Sequence, residues 1–289
     1  MARVRKPQGG KAYRWRVREM SKPREVHLWT KYALAYVLVM AIPFTVFSVM
    51  VNRYLTNEMT ASIQSEMTNT LSAARQSFDQ KINQMVSISL QISQLNDFRG
   101  SNLSSYSYAS RRGVQLMLRA FWATGQVYRD IAYYQRDLPE TVFTISGTYE
   151  VSNYRLFYDG QTGQWLSLKQ MSDAQLDQVW YAAGENRDGI TRRGAMLIFS
   201  QPVPNIPGGF LLFEMSEAGV RDMLPSIPEG GQLTITHGGK WLYPFQTGEE
   251  LRQPEAGLRK TDDGYWEGAA YSPDFGLTYG YRCQVGDLG

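Results

Sequence analysis

Groups able to do acid–base or nucleophilic chemistry are few in this chain. Its 289 residues include two histidines, His27 and His237, and one cysteine, Cys283. If a membrane separates the two histidines, as argued below, neither a Ser-His-Asp relay nor a His-rich zinc site can be assembled. The GGK at 238–240 has Thr234 and Trp241 where a phosphate loop requires Gly and Ser/Thr. No GxSxG, HExxH, GxGxxG or calcium-loop pattern occurs. His237, in THGGK, reads as a solvated residue of a tight hairpin turn, and His27 as a polar residue at headgroup level. The pairs Asp262-Asp263 and Glu249-Glu250 fall in polar loops. This inventory argues against an enzyme and predicts neither a metal nor a cofactor.

Binding chemistry is better supplied. Tyr133, Tyr134, Tyr149, Tyr154, Tyr158, Trp165, Trp180 and Tyr181 crowd one stretch of the chain. Aromatic faces with polar tips line small-molecule pockets, and sugars stack on them, although each ring can equally be core. Arg129, Asp130, Arg155, Asp159, Asp188 and Arg193 offer polar groups in the same stretch. The candidate ligand-binding set is Tyr133, Tyr154, Trp165, Trp180, Tyr181, Arg129 and Asp188.

The elements that must position these residues begin with Ala33–Val51, ALAYVLVMAIPFTVFSVMV, part of an uncharged run from Tyr32 to Asn52 between Lys31 and Arg53. At about 1.5 Å per residue a helix of this length crosses roughly 30 Å of hydrocarbon. It exceeds the roughly 7–15 apolar residues of a signal peptide and runs into SVMVNRYL, which has no small-x-small cleavage site. Pro43 is tolerable in such a helix. The prediction is an uncleaved membrane anchor at 32–52. Residues 1–31 carry ten Lys/Arg against Glu19 and Glu25, while the whole chain is only +3, so the rest is net acidic. Positive charge stays inside, which places the N-terminus in the cytoplasm and residues 53–289 outside. The basic tail suits anionic lipid, and without a DNA-binding motif beside it no nucleic-acid contact is expected from this portion.

Outside the membrane, Met59, Ile63, Met67, Leu71, Ala74, Phe78, Ile82, Met85, Ile88, Ile92 and Leu95 recur at a mean step of 3.6, with no Gly or Pro from Arg53 to Arg99. That is a long amphipathic helix, a spine over 53–98, whose apolar stripe must pack on a partner helix or on a domain folded back along it. A polar break at 99–110 and a short helix at 111–124 follow. Strands are predicted at 127–135 and 141–146 around Asp137-Leu138-Pro139, a helix at 176–183, and paired strands at 195–203 and 208–215. Ser216 caps a helix over 216–224 that Pro225 stops. Further strands are predicted at 232–236, 240–244, 265–271 and 277–285. Such grouping of strands, with 13% aromatics and 26 glycines, indicates α+β with antiparallel sheets. One cysteine allows no intrachain disulfide, which fits a bacterial exterior.

Several stretches together resemble a known family. They are the anchor AIPFTVFSVMVNRYL, the spine LSAARQSFDQKINQMVSISLQIS, and the blocks VYRDIAYYQRDLPETVFTISGTY, FSQPVPNIPGGFLLFEMSEAGVRDML and SPDFGLTYGYRCQV. The layout is similar to bacterial membrane receptors with an extracytoplasmic double Cache sensor, in particular the membrane-anchored AraC-type transcriptional regulators of Paenibacillus-like Gram-positive bacteria. The resemblance implies one long helix running past two PAS-like modules, a membrane-distal one at 99–215 that usually holds the ligand and a membrane-proximal one at 216–289. It also implies a second membrane helix and a DNA-binding output domain after the proximal module, which the sequence, ending at Gly289, does not include.

The leading expectation is therefore the ligand-sensing portion of a transmembrane signalling protein that controls transcription. It would recognise an extracellular solute, such as a saccharide, or a solute-binding protein, and dimerise through the spine. The alternatives are the sensor of a histidine kinase and a membrane-anchored structural or interaction module.

Overall fold

The computed structural model describes residues 28–103, 108–125, 127–136, 138, 141–154, 156–159, 164–173, 180–183, 196–228, 230–244 and 257–284. The chain falls into two compact units, residues 1–59 and 60–289.

Helix α1, Leu28–Ser93, begins in the first unit. There Leu34, Val37, Ile42, Phe44, Phe47 and Met50 all face outward, more than half exposed. The helix is long and apolar enough to cross a membrane, and none of its apolar window is buried. Thr45 Oγ1 donates to the carbonyl of Ala41 at 2.7 Å, which satisfies the hydroxyl within the helix.

In the second unit α1 turns apolar on one side only. Ile63, Met67, Leu71, Ala74, Phe78, Ile82, Met85, Ile88 and Ile92 are all buried, at steps of three or four residues. Met59, expected to open the stripe, is exposed, and Leu95 is only partly buried. The buried Ser89 and Ser93 hydroxyls donate to the carbonyls of Val86 and Leu90 within the helix. The helix stops at Ser93, short of the expected 98. The amides of Gln94 and Leu95 bond three residues back, to Gln91 and Ile92, tightening the last turn before a 3-10 turn at Asn96–Phe98.

The expected break at 99–110 is partly helical. α2 spans Gly100–Leu103, and α3 spans Tyr108–Gly125, starting ahead of the predicted Arg111. Leu103, Val114 and Leu118 are nearly fully buried, and their packing outweighs the polar composition of the segment.

A six-stranded antiparallel sheet follows. In chain order its strands are β1 (Asp130–Gln135), β2 (Thr141–Thr144), β3 (Thr148–Glu150), β6 (Trp180–Ala183), β7 (Met196–Pro202) and β8 (Gly209–Ser216). Their spatial order is β3-β2-β1-β8-β7-β6. Between β3 and β6 lie the hairpin β4 (Leu156–Asp159) and β5 (Gln164–Ser167) and the short helix α4 (Leu168–Asp173). The helix expected at 176–183 is corrected by β6, which pairs Trp180 with Phe199 and Tyr181 with Ile198. Pairing with β7 supplies backbone partners, and Trp and Tyr suit a pleated surface.

Ser216 caps α5 (Glu217–Asp222) as expected, its hydroxyl accepting from the amide of Gly219 at 3.1 Å. A Cβ at Gly219 would come within 2.5 Å of the Val127 carbonyl, so only glycine lets α5 sit this close to the lead-in of β1. The second sheet holds β9 (Gln232–His237), β10 (Lys240–Tyr243), β11 (Arg259–Lys260), β12 (Tyr265–Ser272) and β13 (Leu277–Gln284). Its order is β10-β9-β13-β12-β11, also antiparallel. His237 ends β9 opposite Lys240, and Gly238 and Gly239, at φ 55° and 81°, make the two-residue loop of the expected hairpin.

One face of each sheet meets the spine in a continuous core. It includes Ile131, Tyr133, Leu211 and Phe213 from the first sheet and Leu233, Ile235, Tyr279 and Tyr281 from the second. Polar bonds fasten the same contact. Asp79 accepts from Ser272 Oγ and Tyr279 Oη, both at 2.7 Å, and Ser77 Oγ donates to the Met223 carbonyl at 2.6 Å. The long helix therefore serves as a shared wall for both sheets, and the mixed α and antiparallel β class predicted from sequence is the one observed.

Candidate functional site

Strand alternation gives the six-stranded sheet a second face, turned away from the spine. Ala132 and Tyr134 of β1, Val142 of β2, Ile198 of β7 and Leu212 of β8 form a smaller core there, covered by Val151 and by Leu168 of α4. Among these apolar residues sits a set of buried polar ones: Asp130, Thr144, Ser200 and Glu214.

Asp130 and Glu214 are register partners of β1 and β8, and Ile198 of β7 is opposite Glu214 on its other side. Direct cross-strand partners hold their Cβ atoms about 4.5–5.5 Å apart, so two carboxylates share one patch of this face. Glu214 is fully buried. Tyr154 Oη donates to Glu214 Oε1 at 2.8 Å, and the amide of Ile145 donates to Asp130 Oδ1 at 3.3 Å. One row along, Ala132, Leu212 and Ser200 lie side by side across β1, β8 and β7. Ser200 is 1% exposed, and among the described residues its Oγ has no hydrogen-bond partner. A buried hydroxyl left without a partner costs about 1–3 kcal/mol. The face therefore gathers two carboxylates, a phenol and a hydroxyl that has no partner among the described residues.

The candidates named from sequence scatter around this patch. Tyr154 stands in it through its bond to Glu214, and its ring packs against Tyr149 with centroids 6.4 Å apart. Tyr133 points the other way. It is fully buried in the spine-side core, edge-on to Phe98 at 5.0 Å, and its hydroxyl donates to the Phe98 carbonyl at 2.7 Å. Arg129 is exposed just before β1, where its backbone amide donates to the Glu214 carbonyl at 2.7 Å. Trp165 lies in β5 opposite Tyr158, and Trp180 and Tyr181 lie in β6, their side chains outside the described structure. Asp188 lies outside the described residues.

Three members of the polar set, Thr144, Ser200 and Glu214, went unnamed in the sequence reading. Glu214 is the only charged residue in GFLLFEMS, and a lone carboxylate in a strand buried on both faces was the available signal. Ser200 gave a weaker one, as a small polar residue inside MLIFSQP. No family model matches the sequence, and no curated protein matches it.

Solved structures do resemble it. The ligand-binding domain of the Pseudomonas aeruginosa amino acid chemoreceptor PctB, in complex with L-Arg, superposes with a TM-score of 0.51 at 11% identity, covering 78% of this chain and 96% of that one. A domain of a protein assigned to the sensory box/GGDEF family from Vibrio parahaemolyticus gives a TM-score of 0.50 at 13% identity, covering 80% and 99%. The sensor domain of the V. cholerae histidine kinase DctB gives 0.48 at 12% identity, covering 78% and 98%. These neighbours are sensory domains of chemoreceptors and histidine kinases. The chain has the fold of the PAS/Cache-like sensor domains.

Proposed function

We propose that this chain is the sensing portion of a transmembrane signalling protein, and that it binds a small solute carrying a cationic group on the outward face of the six-stranded sheet. The buried polar patch carries the reading. Two carboxylates, Asp130 and Glu214, stand in register on a face that also holds the Tyr154 phenol and the Ser200 hydroxyl, which has no partner among the described residues. Two neighbouring carboxylates accept charge-assisted hydrogen bonds from an ammonium or guanidinium, which favours an amine or amino acid over the sugar expected from the aromatic content. The complex of PctB with L-Arg is in keeping with this choice.

The role is binding rather than catalysis. Residues 32–52 anchor the protein with its basic tail in the cytoplasm and the sensor outside. The proximal module, 216–289, relays the bound state beside the spine. The output is transcriptional, through an AraC-type DNA-binding domain encoded past residue 289, on the strength of the sequence resemblance.

Titration calorimetry of the whole chain in detergent, against panels of amino acids, polyamines and saccharides, tests the sensing claim. A cationic solute that binds the parent protein and fails to bind Glu214→Gln supports it. A saccharide binder indifferent to Glu214→Gln overturns the solute class, and silence across all panels overturns direct sensing. Sequencing the gene past codon 289 tests the output, since a kinase dimerisation helix in place of a helix-turn-helix replaces transcriptional output with phosphorelay.

A further inference from the structure

Three bonds around the polar patch close a circuit. Asp130 lies on β1 two residues before Ala132, whose partner Thr144 ends β2. Its carboxylate reaches the loop that joins β2 to β3, where the amide of Ile145 donates to Oδ1 at 3.3 Å. The carbonyl of the same residue accepts from Arg119 Nε of α3 at 2.6 Å. One turn further along α3, Trp122 Nε1 donates at 2.7 Å to the carbonyl of Tyr128, two residues ahead of Asp130. Residues three apart lie on one side of a helix, so α3 braces both the loop and the strand whose carboxylate the loop bonds.

The loop's own bonds do not set its distance from Asp130. Thr144 Oγ1 accepts from the amides of Ser146 and Gly147, both at 3.1 Å, and the Thr144 amide donates to the Gly147 carbonyl at 2.8 Å. These bonds hold residues 144–147 to one another. Ile145 supplies the contacts beyond the hairpin: its side chain packs on the spine-side core, its carbonyl meets Arg119 and its amide meets Asp130. α3 is a firm support, because Val114 and Leu118 are fully buried. The amide–carboxylate bond is the longest of the circuit, just past the usual range of about 2.7–3.2 Å, and so the first that a displaced loop would lose.

We infer that Arg119 is a positioning residue of the solute site, a role that rests on the binding reading above. Acting through Ile145, it holds the Asp130 carboxylate in the orientation that receives the cationic group. A carboxylate held before binding loses less freedom when the cation arrives, so the bond raises affinity without touching the solute. The sign of the effect separates this role from that of a nearby charge. A guanidinium beside a cation-binding patch repels the cation, so removing its charge alone would tighten binding. Removing the bond it makes would weaken binding.

Two substitutions in the whole chain in detergent, titrated by calorimetry with the cationic solute that binds the parent, test the role. Arg119→Gln keeps an N–H donor as many bonds from the backbone as Nε and removes the charge. Arg119→Met puts a methyl carbon there instead. Arg119→Met should bind several-fold more weakly than the parent, and Arg119→Gln should stay near it. Trp122→Phe removes the second brace and should weaken binding in the same direction, so the inference does not hang on the folding of one variant. Unchanged affinity in Arg119→Met, or equal changes in Arg119→Met and Arg119→Gln, overturns it. Hydrogen exchange at the Ile145 amide needs no solute: it should quicken in Arg119→Met and keep the parent's rate in Arg119→Gln. If no cationic solute binds the parent, the sensing reading falls. Exchange that quickens only in Arg119→Met then still upholds the placement of the loop on Asp130, and equal exchange in all three overturns that too.

Discussion

The hydroxyl of Tyr133 donates to the carbonyl of Phe98 at 2.7 Å, fastening the strand that carries Asp130 to the chain just past the spine's end. β1 thus has two working faces. Asp130, Ala132 and Tyr134 look toward the polar patch, and Ile131 and Tyr133 toward the spine. A shift of β1 on one side is felt on the other, because packed interiors do not absorb strain locally. Tyr133→Phe should therefore leave solute affinity unchanged and cost about 1 kcal/mol of stability. Hydrogen exchange at residues 94–99 is the discriminating measurement. Addition of the solute selected by calorimetry should alter it in the parent and leave it unaltered in the variant. An equal response in both would show that the bond is merely structural.

Ser200 offers a test in which stability and binding move in opposite directions. Its hydroxyl is buried with no partner among the described residues, so Ser200→Ala should stabilise the empty protein by about 1 kcal/mol, roughly 2–4 °C in Tm for a domain of this size. The same change should weaken solute binding, by about tenfold if a bond worth about 1.4 kcal/mol is lost. A rise in Tm with unchanged affinity would make Ser200 a tolerated defect rather than a contact.

The spine was legible in the sequence because a helical period of 3.6 over many turns has few competing explanations, and its buried residues match the predicted stripe from Ile63 to Ile92. The cap at Ser216 and the glycine loop after His237 were legible for a similar reason, since each depends on two or three adjacent residues. The strand at Trp180–Ala183 was not, because LDQVWYAA carries helix-like spacing and only pairing with β7 decides it. The candidate site was the least legible part. Aromatic content pointed equally to both faces of β1, and which of Tyr133 and Tyr134 faces the spine is a matter of register that a one-residue slip reverses. Glu214 meets Asp130 only through pairing of strands far apart in the chain.

Asp79 joins the spine to the second sheet, and graded substitutions should separate its bonds from its charge. Asp79→Ala leaves Tyr279 Oη and Ser272 Oγ without their acceptor and should cost about 2–3 kcal/mol. Asp79→Asn keeps one acceptor oxygen and should cost less. Arg75 lies 3.6 Å from the carboxylate but is 45% exposed, so Arg75→Gln should cost about 0–1 kcal/mol. Urea unfolding of the three variants provides the ranking. If Arg75→Gln were as costly as Asp79→Ala, the ion pair rather than the two hydroxyls would hold the contact.

Two core phenols should set the alkaline limit of the fold. Burial pushes Tyr128 up to about 12, and burial, then Cys283 and Glu66, push Tyr281 up to about 12. The ordinary phenol of an unfolded chain ionises near pH 10. A folded pKa raised above the unfolded one gives stability that is complete below about pH 10 and lost as pH rises through about 12, because the unfolded chain releases its proton first. Each phenol then accounts for a loss of about 2–3 kcal/mol across that window. Neither hydroxyl has a hydrogen-bond partner among the described residues, so phenylalanine removes a buried polar group as well as the titration. Tyr128→Phe with Tyr281→Phe should raise Tm at pH 8 and flatten its fall between pH 10 and 12. A residual slope should persist from Tyr279, held still higher by burial and by its bond to Asp79. Parallel Tm curves for parent and double variant above pH 10 would show that these phenols do not control alkaline unfolding.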